Sequence, residues 1–124
     1  TNLQDFFNQK APEKLVFTKN DVAVKSDPEL KSEIHWLVPN AQKNSMEPIV
    51  VYLEPQGRTY LDDPHDGEEF GYVIKGQIQL HFGSEVVKVR AGESFYFPAQ
   101  AGHYISNAGK RQAVVLWVSS PPSF

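Results

Sequence analysis

The stretch "PHDGEEFGYVIKGQIQLHFG", residues 64–83, places His65 four residues ahead of Glu69, and Glu69 opens a run that is otherwise apolar. Residues two apart on a strand share a face, so Glu69 lies with Gly71 and Val73 while Phe70, Tyr72 and Ile74 face the other way. Both faces are largely apolar, as they are in "VVLWV" at 114–118. This predicts a wall covered on its outer side as well, by another sheet or a second subunit. The carboxylate then points inward. An ionised carboxylate in such an interior costs several kcal/mol unless it is paired or bound to a cation, so Glu69 needs a partner. The nearest candidates are His65 and, later in the chain, His103.

The elements that must position these groups are short. Apolar segments recur about every ten residues: Leu15–Phe17, Ile34–Val38, Ile49–Leu53, Phe70–Ile74, Ile78–Phe82, Val86–Val89, Phe95–Phe97 and Val114–Val118. Turn signals separate them, among them Pro39-Asn40, Pro55-Gln56-Gly57, Lys75-Gly76, Gly83-Ser84, Ala91-Gly92 and Asn107-Ala108-Gly109. Strands at this spacing indicate an all-β sandwich or barrel. Gly83-Ser84 fits a two-residue hairpin loop, since glycine supplies the positive φ that a II′ turn needs. Only residues 1–9 suggest a stub of helix, and the tail "SSPPSF" reads as an extended terminus because prolines cannot donate to a ladder.

A chain of 124 residues, 40% hydrophobic, makes one domain that removes about two-thirds of its surface from water. A net charge of -3 without a Lys/Arg cluster gives no surface for tracking phosphates, which disfavours nucleic-acid binding by this chain alone. Cysteine is absent, removing disulfides, thiolate metal sites and cysteine nucleophiles. No signal-like or membrane-length apolar run occurs, so the expected location is the cytoplasm. The sequence has no nucleophile elbow, phosphate-binding glycine loop or helix with paired histidines, leaving hydrolase and nucleotide-binding readings unsupported.

The spacing resembles that of the cupin superfamily. Its first motif runs Gly, five residues, His-x-His, three or four residues, Glu, six residues, Gly; Gly57, His65, Glu69 and Gly76 fall at those intervals, with Asp63 in place of the first histidine. Its second runs Gly, five residues, Pro-x-Gly, two residues, His, three residues, Asn; Gly92, Pro98, His103 and Asn107 match, and Gln100 replaces the middle glycine. The segments "LVPNAQKNSMEPIVVYLEP", "GEEFGYVIKGQIQL", "AGESFYFPAQAGH" and "VLWVSSPPSF" further resemble the cupin sensor domains that follow helix-turn-helix domains in bacterial XRE-type transcriptional regulators. The resemblance implies a single cupin (double-stranded β-helix, or jelly-roll) barrel over residues 11–124. It makes residues 1–10, with "LQDFF", the remnant of a linker from a preceding DNA-binding domain.

It also implies a metal site. His65, Glu69 and His103 would form a two-histidine, one-carboxylate face with open positions, suited to Fe(II), Mn(II), Ni(II) or Zn(II). The bland alternative is a salt-bridged Glu69 beside ordinary loop histidines. Two neutral imidazoles, one carboxylate and a divalent cation leave one net positive charge, which favours an anionic ligand; coordination by Asp63 would neutralise it. Asp63 is thus a candidate further ligand or effector contact, while Asp62, Asp66 and Glu68 read as solvated charges. His35 and His81 read as ordinary strand residues, and most of the aromatics as core.

The leading function is an effector-binding sensor domain, forming a homodimer whose interface includes His35–Val38 and reaching DNA only through the preceding helix-turn-helix domain. The alternatives are a mononuclear non-haem enzyme (dioxygenase, epoxidase or isomerase), since a family of iron epoxidases shares the layout and the histidine-glutamate-histidine spacing, and a free-standing structural or storage cupin.

Overall fold

The computed structural model describes residues 14–124. The helix stub and the linker remnant expected over residues 1–10 lie outside the described residues. Nine strands follow: β1 (Ala23–Asp27), β2 (Ser32–Trp36), β3 (Glu47–Leu53), β4 (Glu68–Lys75), β5 (Gln77–Phe82), β6 (Glu85–Arg90), β7 (Ser94–Pro98), β8 (His103–Ser106) and β9 (Ala113–Ser120). All pairings between them are antiparallel, in a six-stranded sheet of order β1-β2-β3-β9-β4-β7 and a three-stranded sheet of order β6-β5-β8. The fold is the all-β jelly-roll barrel expected. Apart from two short 3-10 turns at Lys19–Asp21 and Ala41–Lys43, the described residues contain no helix, and so none long and apolar enough to cross a membrane.

Alternation builds the barrel. Along β3, Glu47, Ile49, Val51 and Leu53 are buried, and along β4 Glu69, Gly71 and Val73 are. The two sheets enclose one core that includes Ile49, Val51, Leu53, Ile78, Phe95, Phe97, Ile105 and Trp117. Gly76, the only residue between β4 and β5, holds φ +75°, and a Cβ there would lie 2.7 Å from the Gln112 carbonyl oxygen. That left-handed conformation lets the chain leave one sheet and enter the other in a single step. Gly83 (φ +59°) and Ser84 close the β5–β6 hairpin at the expected place.

Two local expectations are corrected. Leu15–Phe17 is not a strand: Leu15 and Val16 are exposed, because three apolar residues with nothing opposite them find no ladder. Among the described residues the first strand is instead β1, whose sequence "AVKSD" carries almost no apolar signal and which is held at the sheet edge by pairing with β2. The tail is not an extended terminus. It folds back so that Phe124 packs edge-to-face on Trp117, ring centroids 5.2 Å apart.

Candidate metal centre and adjoining cavity

Three parts of the chain deliver the site. His65 lies in the loop before β4, tied down where its backbone N–H donates to the Ala99 carbonyl (2.8 Å). Glu69 is the second residue of β4, on its inward face and 1% exposed. His103 opens β8 and is fully buried. His65 Nε2 stands 2.8 Å and His103 Nε2 2.9 Å from the same oxygen, Glu69 Oε2. The three ligand atoms all lie within 4.8 Å of one another. The structure thus brings together the three residues that the spacing singled out.

Their outer contacts decide what the group needs. His65 Nδ1 is 2.8 Å from the Asp66 carbonyl and His103 Nδ1 is 3.0 Å from the Ala101 carbonyl. A carbonyl only accepts, so each Nδ1 carries the hydrogen, and the neutral tautomer leaves an Nε2 lone pair aimed at a carboxylate oxygen. Lone pairs from two nitrogens and one carboxylate cannot converge without positive charge between them. Either protons or a cation supply it. Glu69 Oε1 is buried without any hydrogen-bond partner, a second demand for a positive group in a site that burial makes costly to leave unpaired. Nitrogen and carboxylate donors with their outer nitrogens fixed by backbone fit a divalent first-row metal.

The acidic run is placed differently from the expectation. Asp63 is exposed and is not among the converging atoms. Asp62, expected to face water, is half-buried, with Oδ2 3.6 Å from His103 Nε2. Burial raises the Asp62 carboxyl above the usual carboxylate range, against the pull of His103, and the negative charge of Glu69 adds to the rise. For His103, burial opposes the charged form. The hydrogen bonds to Glu69 and the Ala101 carbonyl, with the negative charges of Glu69 and Asp62, outweigh it and raise the pKa.

His35 and His81 stand apart from the site, as expected. His35 pairs with Glu33 (Nε2–Oε2 2.6 Å), and His81 stacks on Tyr104 with centroids 4.1 Å apart while bonding Ser106 Oγ.

A cavity of about 170 Å³ lies on the other side of Asp62 from His103; none of the three converging residues is among its walls. Its walls include Trp36, Ile49, Val51, Asp62, Trp117 and Phe124. Asp62 therefore borders both the cavity and the Nε2 nitrogen that His103 turns toward Glu69. Sequence reasoning also missed Glu47, 1% exposed on the inward face of β3. The signal was present: "MEPIVVYL" opens an apolar strand with a carboxylate, as "EEFGYVI" does.

A jelly-roll barrel with an inward histidine-glutamate-histidine cluster defines a cupin, and the chain belongs to that family: the cupin domain (Cupin_2) matches residues 49–119. An uncharacterized protein of Methanocaldococcus jannaschii is 29% identical over 87 residues, 69% of this chain and 70% of that one. An HTH_3 family transcriptional regulator from Vibrio cholerae superposes with a TM-score of 0.68 at 22% identity, covering 80% of this chain and 56% of its own. The chain thus spans little more than half of that regulator's length. A predicted oxalate decarboxylase from Thermotoga maritima superposes with a TM-score of 0.73 at 18% identity, over 86% of this chain and 98% of its own. At these identities the two structures share the fold with this chain. Both regulators and enzymes are built on it.

Proposed function

We propose that this cupin domain is the small-molecule sensor of a bacterial, cytoplasmic transcriptional regulator. Its effector occupies the cavity, and a divalent metal (Fe, Mn, Ni or Zn) held by His65, Glu69 and His103 meets the effector's polar group. The observation that carries this reading is continuity: one residue, Asp62, borders both the cavity and the cluster of converging lone pairs. The domain reaches DNA through a helix-turn-helix domain preceding the segment, and it works as a homodimer on two half-sites. The likeness to the Vibrio cholerae regulator supports this arrangement, since about half of that protein remains for another domain.

The test is an operator titration at fixed salt on the full-length protein. An effector shifts DNA affinity only through its different affinity for two states, and saturating effector is expected to change operator affinity by about 5- to 150-fold. Glu69→Ala or His103→Ala should abolish that change and leave effector-free DNA binding intact. A second reading, a mononuclear metal enzyme, is favoured by one observation: the half-buried Asp62 carboxyl, its pKa raised by burial, stands between cavity and triad and is placed to carry a proton. Turnover of a substrate by the isolated domain with Fe(II) in air would replace the sensor reading with this one.

A further inference from the structure

Phe124 is a wall of the cavity, yet no residue of the metal triad holds it there. Its position comes from Glu47. One oxygen of that buried carboxylate, Oε1, accepts the backbone N–H groups of Ser123 (3.0 Å) and Phe124 (2.8 Å). Below it, Ser119 Oγ donates to the Pro121 carbonyl (2.8 Å) and lies 2.7 Å from Ser123 Oγ. Because the single Ser119 hydroxyl hydrogen is used on Pro121, Ser123 is the donor to Ser119. The other oxygen, Glu47 Oε2, is buried with no partner. A carboxylate is an expensive group to keep in an apolar interior, and here its hydrogen bonds go only to the backbone of the tail. An apolar side chain would fill the same space more cheaply; what it could not do is fasten residues 123 and 124.

The fastened segment is thin. Pro121 and Ser123 are exposed while Phe124 is partly buried, and Ser123 and Phe124 both line the cavity, so this segment stands between the cavity and the surface. We infer that Phe124, held by Glu47, sets the size of the molecule the cavity admits, and that Pro121–Phe124 is the strap a larger molecule must displace. The inference deepens the sensor reading and rests on the cavity being its ligand site. The ligand class it implies is a single compact apolar ring with one polar group directed toward Asp62. At about 170 Å³ the space is comparable to apolar cavities that take up a single ring.

The two tryptophans of the chain, Trp36 and Trp117, both line the cavity, so intrinsic fluorescence reports its occupancy directly. Two non-absorbing probes, cyclohexanol and 1-adamantanol, are titrated into the full chain. The parent should bind cyclohexanol and discriminate against the bulkier cage by about tenfold or more, the ordinary selectivity of a shaped apolar pocket. Phe124→Ala should reverse that preference while keeping its metal. Glu47→Ala, which still carries Phe124 but cannot fasten it, should also admit 1-adamantanol. If Glu47→Ala fails to fold, as judged by circular dichroism, Phe124→Ala alone decides the question. Unchanged discrimination in Phe124→Ala overturns the size-selecting role and leaves the sensor reading standing. Absence of any response to either probe, in parent and variant alike, overturns both, since the cavity would then not be a ligand site.

Discussion

Asp62 and His103 exchange both of their backbone hydrogen bonds, Asp62 N–H to the His103 carbonyl at 2.9 Å and the reverse at 3.0 Å. Directly opposed residues of an antiparallel pair present their side chains on one face. The bridge therefore turns Asp62, and not its neighbour Asp63, toward the imidazole. The identity of the fourth polar group at the site is thus a consequence of backbone pairing.

Substitution separates the two aspartates. Asp62→Asn is expected to weaken metal retention by about 10- to 100-fold, the usual effect of losing a group that orients or polarises a ligand, whereas Asp63→Asn leaves it unchanged. Competition with a chelator of known affinity measures both. Equal effects would show that the charge of the loop, and not the bridge to His103, is what matters.

The ligand set makes a stronger demand. Protein equilibrated with a divalent first-row metal and desalted should keep close to one equivalent, and His65→Ala, Glu69→Ala and His103→Ala should each lose it. Elemental analysis after desalting is the measurement. Full retention by the triple variant would remove the site from this cluster.

Protons and metal compete for the same lone pairs, which fixes the sign of two pH effects. In the metal-free protein the His103 pKa is raised above its ordinary value of 6.5. Its pairing with Glu69 therefore stabilises the fold fully below about 6.5 and is lost as pH climbs through the raised value. Metal-free thermal stability should decline across that window. The increment added by metal should grow across it, because coordination displaces the proton. Melting curves with and without metal at several pH values would reveal parallel profiles if the two do not compete.

Packing gives a prediction independent of metal. A Cβ on Gly71 would fall 2.0 Å from Phe95 Cζ, and that ring is held between Phe97 and Trp117 at centroid distances of 6.0 and 5.7 Å. Gly71→Ala should cost about 1–3 kcal/mol, the range for overpacking a filled core. Calorimetry should show a fall of roughly 3 to 6 °C per kcal/mol at this chain length. An unchanged melting temperature would mean the Phe95 ring has room to move.

Assembly follows from the outer face of the large sheet. Register aligns His35, Val50, Leu116 and Tyr72 in one row across β2, β3, β9 and β4, and Phe70, Tyr72 and Ile74 are exposed. Sedimentation at micromolar concentration should find a species of twice the 14.0 kDa chain mass, and Leu116→Glu should return it to a monomer. A single monomeric boundary for the parent would count against the homodimer.

How far the sequence could be read depended on how local each signal was. Glu69 was legible because alternation within β4 alone places it inward, and His65 because it lies four residues away. Asp62 was not, since its orientation is set by a bridge to a residue 41 positions on, and an acidic run by itself reads as solvated. Glu47 carried the same local signal as Glu69 and lacked only a nearby histidine to draw attention to it. β1 and the folded tail were hidden for the same reason as each other: pairing with β2 and fastening to Glu47 are contacts made across the fold, and neither segment has apolar periodicity of its own.

Ser119 on β9 is the register partner of Glu47 on one side and of Glu69 on the other, and all three are buried. Adjacent strands lie about 4.8 Å apart, so the acid of the metal cluster and the acid that holds Ser123 and Phe124 face inward from one rung, with a single small hydroxyl between them. A bulkier residue at 119, or one residue inserted into β9, would disturb both at once. The setting of the Glu69 cluster and the fastening of Phe124 are then coupled through one strand: a change that altered one through Ser119 would alter the other in the same step, whereas changes confined to the outer face of β9 leave both untouched.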